Sequence, residues 1–108
     1  MSKYKAKKTA VDGITFDSKK EAHRYLVLKA MQEAGEIDHL QMQVKYELIP
    51  PCKRISKGTE RGINYIADFV YTENGNIVVE DVKGVKTDVY KIKKKLMLWR
   101  WGIEVRET

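Results

Sequence analysis

Three charged residues interrupt an otherwise apolar run in Ile77–Gly84, whose sequence is IVVEDVKG. The run follows ENGN at positions 73–76, and Asn-Gly is a strong signal for a tight hairpin turn because both residues tolerate positive φ. Successive side chains of a strand point to opposite faces, so Asp81 and Lys83 share one face and Glu80 takes the other. Charges in a hydrophobic strand are costly unless they are paired or bind a metal ion.

A second strand is predicted before the turn, in INYIADFVYT at positions 63–72. The segment is rich in β-branched and aromatic residues, which favour strands. It also holds an acid, because Asp68 stands between Ala67 and Phe69. An acid on one strand and an acid-x-Lys pattern on its neighbour are what a divalent ion and an attacking water need, so this hairpin is the candidate site.

The composition is typical of one soluble globular domain. The 108 residues are 43% hydrophobic and 33% charged, which is unlike a disordered chain. No apolar run approaches the roughly 20 residues that span a membrane, and the basic N-terminus has no apolar segment typical of a secretory signal. Cys52 is the only cysteine, which excludes an internal disulfide and a cysteine-rich zinc site. We therefore expect a cytoplasmic protein without membrane contact.

The positive charge is concentrated in two segments. The net charge is +6, from 21 basic and 15 acidic residues. Residues 1–11 hold four lysines and no acid, and residues 83–100 hold seven basic residues against Asp88 alone, so 11 of the 21 basic residues lie there. This clustering favours a polyanion partner, most simply nucleic acid, over a merely solvated surface.

The remaining patterns predict the order hairpin, α, β, β, β, α, β. Residues 1–8 are expected to form a flexible basic arm and residues 9–108 a single domain. A small hairpin occupies residues 9–16 and turns at Asp12-Gly13. Ser18 and Glu21 have the spacing of a capping box, so a helix should begin there and run to about Ala34, before Gly35.

Periodicity also predicts which faces are buried in the second half of the chain. Residues 41–49 alternate like a strand, with one side formed by Met42, Val44, Tyr46 and Leu48. Residues 52–62 are polar and are expected to form an exposed loop. A second helix should begin at Asp88 as N-cap and run to Trp101, with an inward face formed by Tyr90, Ile92, Leu96 and Trp99. Residues 103–106 complete the chain as a final strand.

Together these residues resemble the PD-(D/E)XK nuclease superfamily. The resemblance rests on Asp68, on Asp81-Val82-Lys83, on Glu21 of the preceding helix, and on the order helix, three-stranded meander, helix, strand. The segments FDSKKEA (16–22) and VEDVKG (79–84) look like a phage-encoded branch related to Holliday-junction resolvases. Ala67 stands where the motif's name has proline. The likeness covers nearly the whole chain and implies an α/β fold with a restriction-endonuclease-like core (αβββαβ): a central mixed sheet flanked by helices, plus the N-terminal hairpin.

The resemblance implies a metal-dependent DNA endonuclease, acting in recombination, replication or packaging. Asp68, Asp81 and the Val82 carbonyl would then hold Mg²⁺ or Mn²⁺, hard ions that take oxygen ligands. Glu21 would bind a second ion or a metal-bound water. Lys83 would orient the attacking water and stabilise charge on the phosphate. The implied catalytic residues are therefore Glu21, Asp68, Asp81 and Lys83.

The expected partner is DNA, possibly branched. The candidate phosphate contacts are Lys3, Lys5, Lys7, Lys8, Lys86, Lys91, Lys94 and Lys95. A homodimer is also expected, since resolvase-like relatives act as dimers and a chain of this size offers little surface for two DNA strands.

Each site residue also has a purely structural interpretation. Glu21 closes the capping box, Asp81 and Lys83 form a surface ion pair, and Asp68 pairs with a lysine. For the whole protein the alternatives are a Holliday-junction resolvase proper, a non-catalytic DNA-binding module on the same fold, and a basic protein-interaction domain. Gln41 and Gln43 are expected to be merely exposed, and Trp99 and Trp101 to serve a core or an interface.

Overall fold

A four-stranded mixed sheet forms the centre of the computed structural model, which describes residues 8–83 and 85–108. The elements in order are β1 (Thr9–Val11), β2 (Ile14–Phe16), α1 (Lys19–Glu33), β3 (Asp38–Ile49), β4 (Cys52–Lys53), β5 (Thr59–Glu60), β6 (Ile63–Glu73), β7 (Asn76–Asp81), α2 (Asp88–Trp101) and β8 (Arg106–Glu107). Lys3, Lys5 and Lys7, predicted as DNA contacts, lie outside the described residues.

The sheet order is β3-β6-β7-β8. The first three strands form an antiparallel meander, and β8 runs parallel to β7. A parallel neighbour requires a crossover connection, and α2 supplies it. The predicted mixed α/β class and the predicted order of the main elements are confirmed.

The two helices cover opposite faces of the sheet. One cluster of buried residues joins α1 and the N-terminal hairpin to the sheet, through Phe16, Ala22, Tyr25, Leu28, Ile37, Phe69 and Tyr71. The other joins α2 to the sheet, through Leu48, Tyr65, Ala67, Val70, Val79, Tyr90, Met97 and Val105. In the described part of the chain, no helix is long and apolar enough to cross a membrane.

The two long strands exchange faces in mid-course, which corrects one prediction. Met42 packs on the α1 side of the sheet, whereas Val44, Tyr46 and Leu48 pack on the α2 side. Gln43 between them has φ +54, in the left-handed region where the regular alternation of a strand is broken. On β6, Ala67 faces α2 and Phe69 faces α1 in the same way. The residue between them is Asp68, so the exchange occurs at the candidate site.

Helix α1 begins as the sequence predicts. The Ser18 side chain accepts a hydrogen bond from the Glu21 backbone N–H at 3.1 Å. The helix ends at Glu33, with Ala34 as C-cap and Gly35 at φ +80. Glycine suits this position because it adopts a left-handed conformation without steric cost.

Helix α2 differs from its prediction at both the cap and the face. Thr87, not Asp88, is the N-cap, and its hydroxyl accepts from the Tyr90 N–H at 3.1 Å. Tyr90 and Met97 are buried, whereas Ile92 and Trp99 are exposed. Tyr90 and Met97 are seven residues apart and therefore lie on the same side of the helix. Since that side packs on the sheet, the buried Tyr90 and the partly buried Leu96 confirm part of the predicted inward face, whereas Ile92 and Trp99 are turned away from the sheet.

The predicted loop at residues 52–62 contains a small two-stranded ribbon, β4–β5, in which Cys52 pairs with Glu60. Gly62 follows the ribbon at a point where the chain passes close to the end of β3. A Cβ at this position would lie 2.6 Å from the Ile49 carbonyl oxygen. The final strand is also shorter and later than predicted, at Arg106–Glu107.

The cap of α2 leads to a test of stability. Thr87→Ala should lower the free energy of unfolding by about 1 kcal/mol, because the Tyr90 N–H loses its acceptor. Asp88→Ala should cost less, roughly 0.3–1 kcal/mol, since it only removes a favourable charge at the helix N-terminus. Urea denaturation of the two variants measures both values. A larger loss in Asp88→Ala than in Thr87→Ala would make Asp88 the true cap.

Candidate active site

Asp68 and Asp81 meet where β6 and β7 lie side by side. Asp81 is the last residue of β7 and is 1% exposed. Its Oδ2 accepts a hydrogen bond from the buried Tyr65 hydroxyl. Asp68 is half-buried, and its Oδ2 accepts from the Val82 backbone N–H at 2.8 Å. Two acids are thus held at the end of a buried strand, one by a phenol and one by the backbone.

Lys83 supplies the positive charge next to these acids. Its Nζ lies 3.1 Å from Asp81 Oδ1 and 4.3 Å from the centre of the Tyr90 ring. Such a ring attracts a cation through the negative potential of its face. Asp81 Oδ1 is buried and has no aligned hydrogen-bond donor among the described residues. The pair is therefore more than a surface ion pair, since one member is fully buried and only partly satisfied.

Glu21 reaches the same place from the first turn of α1. Lys20 Nζ donates to the Lys83 carbonyl at 3.0 Å, which ties the start of α1 to the segment after β7. Gln43 Nε2 donates to Glu21 Oε2 at 3.2 Å. Burial raises the pKa of Glu21, and the negative charges of Asp17 and Asp81 raise it further. The capping contact to Ser18 uses the Glu21 backbone, so the carboxylate is left for the site.

The electrostatics of Asp68 set this site apart from ordinary ion pairs. Burial raises the pKa of Asp68 to about 8, and the neighbouring Asp81 acts in the same direction. The hydrogen bond from the Val82 N–H lowers it only in part. Burial and the Asp81 carboxylate also raise the pKa of Tyr65, so that its hydroxyl stays a donor. The site therefore carries more negative charge than its own cations neutralise, and it favours binding a proton or a further cation.

Glu80, the acid that precedes Asp81 in the chain, has different surroundings from Asp81. It lies on the opposite face of β7 and is fully buried. Its carboxylate accepts from Arg24 Nη2 at 3.0 Å, from the Tyr71 hydroxyl at 2.6 Å and from the Thr108 hydroxyl at 3.1 Å. Although burial alone raises its pKa, the bonds from Arg24 and Tyr71 outweigh this effect and lower the pKa overall. Glu80 is a satisfied structural acid.

The lysines of the second basic segment line a separate depression of about 380 Å³, whose wall includes Lys86, Lys91, Lys94 and Lys95. Glu107 neutralises part of this charge, since Lys86 Nζ lies 3.0 Å and Lys94 Nζ 3.3 Å from its carboxylate. Tyr90 links the two regions, because its hydroxyl donates to Glu107 at 2.8 Å. Lys8 is exposed at the other end of the chain.

Several residues of the site had no clear signal in the sequence. The acids open into a depression of about 300 Å³ whose lining includes Asn64, Tyr65, Thr87, Tyr90 and Lys93. Lys93 is one helical turn after Tyr90, so its position follows once Tyr90 is known to face the sheet. Tyr65 and Gln43 depend on the exchange of faces at residues 43 and 68, which strand alternation cannot predict.

A family model matches the whole chain, residues 1–108, and its description is "Protein of unknown function (DUF1064)". The chain belongs to the DUF1064 family. A search of curated proteins and a search of solved structures each found no match.

The acids of this DUF1064 protein satisfy the requirements of a divalent ion only in part. Within the described ranges, no group of three or more His, Cys, Asp or Glu side chains is arranged to hold a metal ion. The pair Asp68 and Asp81 nevertheless offers oxygen donors, and Asp81 Oδ1 is buried without an aligned donor. Hard ions such as Mg²⁺ bind few protein oxygens and complete their shell with water and phosphate. Two carboxylates therefore fit Mg²⁺, whereas a closed protein cage is absent from the described residues.

The raised pKa of Asp68 predicts an unusual dependence of stability on pH. The folded state holds the proton on Asp68 up to about pH 8, whereas the unfolded chain releases it near its ordinary value of 3.8. The stabilisation by this group is therefore complete below pH 4 and is lost as pH rises to about 8. Asp68→Asn, which cannot ionise, should flatten this decline in urea unfolding measured across pH 4–8. Parallel curves for the two proteins would contradict the raised pKa.

Proposed function

We propose that this protein is a metal-dependent DNA endonuclease with a restriction-endonuclease-like core. The observation that carries the proposal is the convergence of Asp68, Asp81 and Lys83 at the end of β7, with Glu21 brought to them by α1. These are the four residues that the resemblance to PD-(D/E)XK nucleases implies, and they come from three separate elements. The order α1, β3-β6-β7 meander, α2, β8 supports the same proposal.

The purely structural interpretations of Asp68, Asp81 and Lys83 explain less of the observed geometry than the nuclease proposal does. A surface ion pair does not require a buried Asp81. A structural acid is satisfied, as Glu80 is, whereas Asp68 has a pKa raised to about 8. Sites with strongly shifted pKa values in an open depression are frequently functional.

In the proposed reaction, water attacks the phosphorus of the DNA backbone and the bond to O3′ breaks. The products are a 5′-phosphate and a 3′-hydroxyl, and the 3′ oxygen takes up a proton. A divalent ion held by Asp68, Asp81 and the Val82 carbonyl would lower the pKa of water and offset phosphate charge.

The chain's own side chains would contribute proton transfer and charge. The Lys83 ammonium, held over the Tyr90 ring, stabilises the negative charge that grows on the phosphate. Glu21, whose pKa is raised by burial, is a stronger base than an ordinary glutamate and is suited to accept a proton from the attacking water. Gln43 holds one Glu21 oxygen and leaves the other for this task.

DNA is the proposed substrate because of the basic residues near the site. Lys93 lines the depression that contains the acids, and Lys91 and Lys95 lie on the same helix within the neighbouring basic depression. Phosphate contacts of this kind supply sequence-independent affinity. The homodimer stays a prediction, to be checked by sedimentation velocity at micromolar concentrations.

Metal binding tests the two acids. Isothermal titration with Mg²⁺ and with Mn²⁺ should detect binding that Asp68→Asn and Asp81→Asn each weaken by about tenfold or more, because each removes a charged oxygen ligand. Bound ion should also raise the melting temperature of the wild type at pH 8, where Asp68 is otherwise poorly compensated. Asp38→Asn, an exposed acid at the start of β3, is the control. Equal binding by all four proteins would exclude this site.

Cleavage tests Lys83. Single-turnover hydrolysis of linear, nicked and four-way DNA with Mn²⁺ should be about 10²–10³-fold slower in Lys83→Ala, because removing one charge-stabilising group typically costs that much. Affinity for DNA should change little, since the contribution belongs to the transition state.

Lys57→Ala is a matched control in the exposed segment between β4 and β5 and should cleave like the wild type. If wild type and Lys83→Ala cleave equally, Lys83 has no catalytic role. If the wild type binds DNA but cleaves none of the three substrates, the protein is a binding module.

A further inference from the structure

Helix α2 has apolar residues on two sides, and only one side is used by the fold. Tyr90 and Met97 are buried against the sheet. A second set of apolar residues, spaced by three, four and three positions, consists of Val89, Ile92, Leu96 and Trp99. This spacing places them in one line along the helix. Val89 is 62%, Ile92 58% and Trp99 78% exposed, whereas Leu96 is partly buried against the core, so three of the four side chains are largely exposed.

The exposed line continues into a groove beside the C-terminal half of α2. The groove has a volume of about 340 Å³ and is lined by Leu48, Ile49, Pro50, Leu96, Trp99 and Arg100. The end of β3 thus forms one wall and α2 the other. We call this groove together with Val89 and Ile92 the outer face of α2.

The two tryptophans of α2 have opposite roles. Trp101 is fixed to the fold, because its indole Nε1 donates to the Glu47 carbonyl at 2.8 Å and its ring meets Tyr46 edge-on at 5.9 Å. Trp99 exposes most of its ring at the mouth of the groove, beside Arg100. Trp and Arg are the residues most enriched among those that dominate binding energy at protein interfaces. Trp99 therefore has the features of an interface residue.

The charges around the outer face indicate which kind of partner would bind there. Between residues 91 and 100 the helix has five basic residues and no acid: Lys91, Lys93, Lys94, Lys95 and Arg100. Lys93 and Arg100 follow Val89 and Leu96 by one turn and border the apolar line on one side, and Lys95 borders it on the other. A second copy of the chain, packed antiparallel on this face, would bring Lys93 and Arg100 against the same cations. Glu47 lies 3.7 Å from Arg100 and offsets part of its charge, but Lys93 and Lys95 keep the border basic, and an acidic partner is complementary to it.

An apolar counterpart is required as well as negative charge. A nucleic acid would satisfy the lysines but would leave aliphatic side chains such as Val89 and Ile92 without an apolar contact. An amphipathic helix laid into a groove satisfies both requirements, because its apolar side chains recur every three or four residues.

We propose that the outer face of α2 binds an acidic, apolar-faced helical segment of a partner protein. The basic depression around Lys91 and Lys94 lies on another side of α2, whereas Val89 and Lys93 also line the depression that contains the acids, so a partner on the outer face would lie beside the candidate active site. This binding does not depend on nuclease activity.

The probe is a fluorescein-labelled amphipathic peptide about five turns long, with Leu and Phe on one face and Glu elsewhere. Its anisotropy should report saturable binding to the wild type that weakens with salt. Trp99→Ala should weaken binding about tenfold or more, without lowering the stability of the fold, because Trp99 is largely exposed. Trp101→Phe is the matched control and should bind the peptide like the wild type. A peptide with Lys in place of every Glu should not bind.

Three results would overturn the proposal. The first is equal peptide binding by wild type and Trp99→Ala. The second is a concentration-dependent dimer of the wild type, seen in sedimentation, that Trp99→Ala converts to monomer, since the face would then belong to a second copy. The third is a tenfold loss of affinity for single-stranded oligothymidylate in Trp99→Ala, which would make Trp99 a base-stacking residue.

Discussion

The centre of this protein depends on one constraint. Asp81 is buried beside Asp68, and Lys83 is the nearest cation. A buried carboxylate is costly unless hydrogen bonds and opposite charge replace the water that it loses. Tyr65 gives one hydrogen bond and Lys83 one charge, which leaves Asp81 Oδ1 without an aligned donor in the described part of the chain. Next to it, burial and then the neighbouring Asp81 raise the pKa of Asp68. Apolar residues at such positions are often equally stable, so the two acids agree with the functional site that we propose.

The backbone conformation of Gln43 is also energetically unfavourable. A left-handed residue other than glycine costs about 1–2 kcal/mol, and such conformations persist where the surrounding structure holds them and often where function needs them. Here the conformation turns the Gln43 amide toward Glu21 and moves Val44 to the α2 side of the sheet. The same interruption lies beside Asp68 on the paired strand. The irregular backbone at Gln43 thus directs the side chains of Gln43 and of Asp68, on the paired strand, into the site.

The sequence predicts the fold where local signals are strong and fails where tertiary packing decides. The Asn-Gly turn, the Ser18 cap and the alternation of β7 are local, and each is confirmed. The inward face of α2 was predicted correctly at Tyr90 and Leu96 and wrongly at Ile92 and Trp99, because two sides of the helix are apolar and only the contact with the sheet distinguishes them. The site residues on β7 could be read from alternation, whereas Tyr65 and Gln43 could not, because the face exchange that brings them there has no sequence signal. Thr87 was missed since Asp88 is an equally good cap by residue type.

Glu80 and Asp81 differ in how their negative charges are compensated, and this difference bears on the proposed function. These neighbours occupy the same strand and are both buried, yet alternation sends them to opposite faces. Glu80 meets a guanidinium and two hydroxyls, and its pKa is lowered. Asp81 meets one phenol and one ammonium, and it shares its surroundings with a second acid. Because Glu80 is fully compensated by Arg24 of α1 and by Tyr71 of β6, it holds the strand between helix and sheet at the position where Asp81 emerges. Glu80 thereby fixes the position of Asp81, and a change at Arg24 would reach the candidate site through the backbone of β7 instead of through any direct contact.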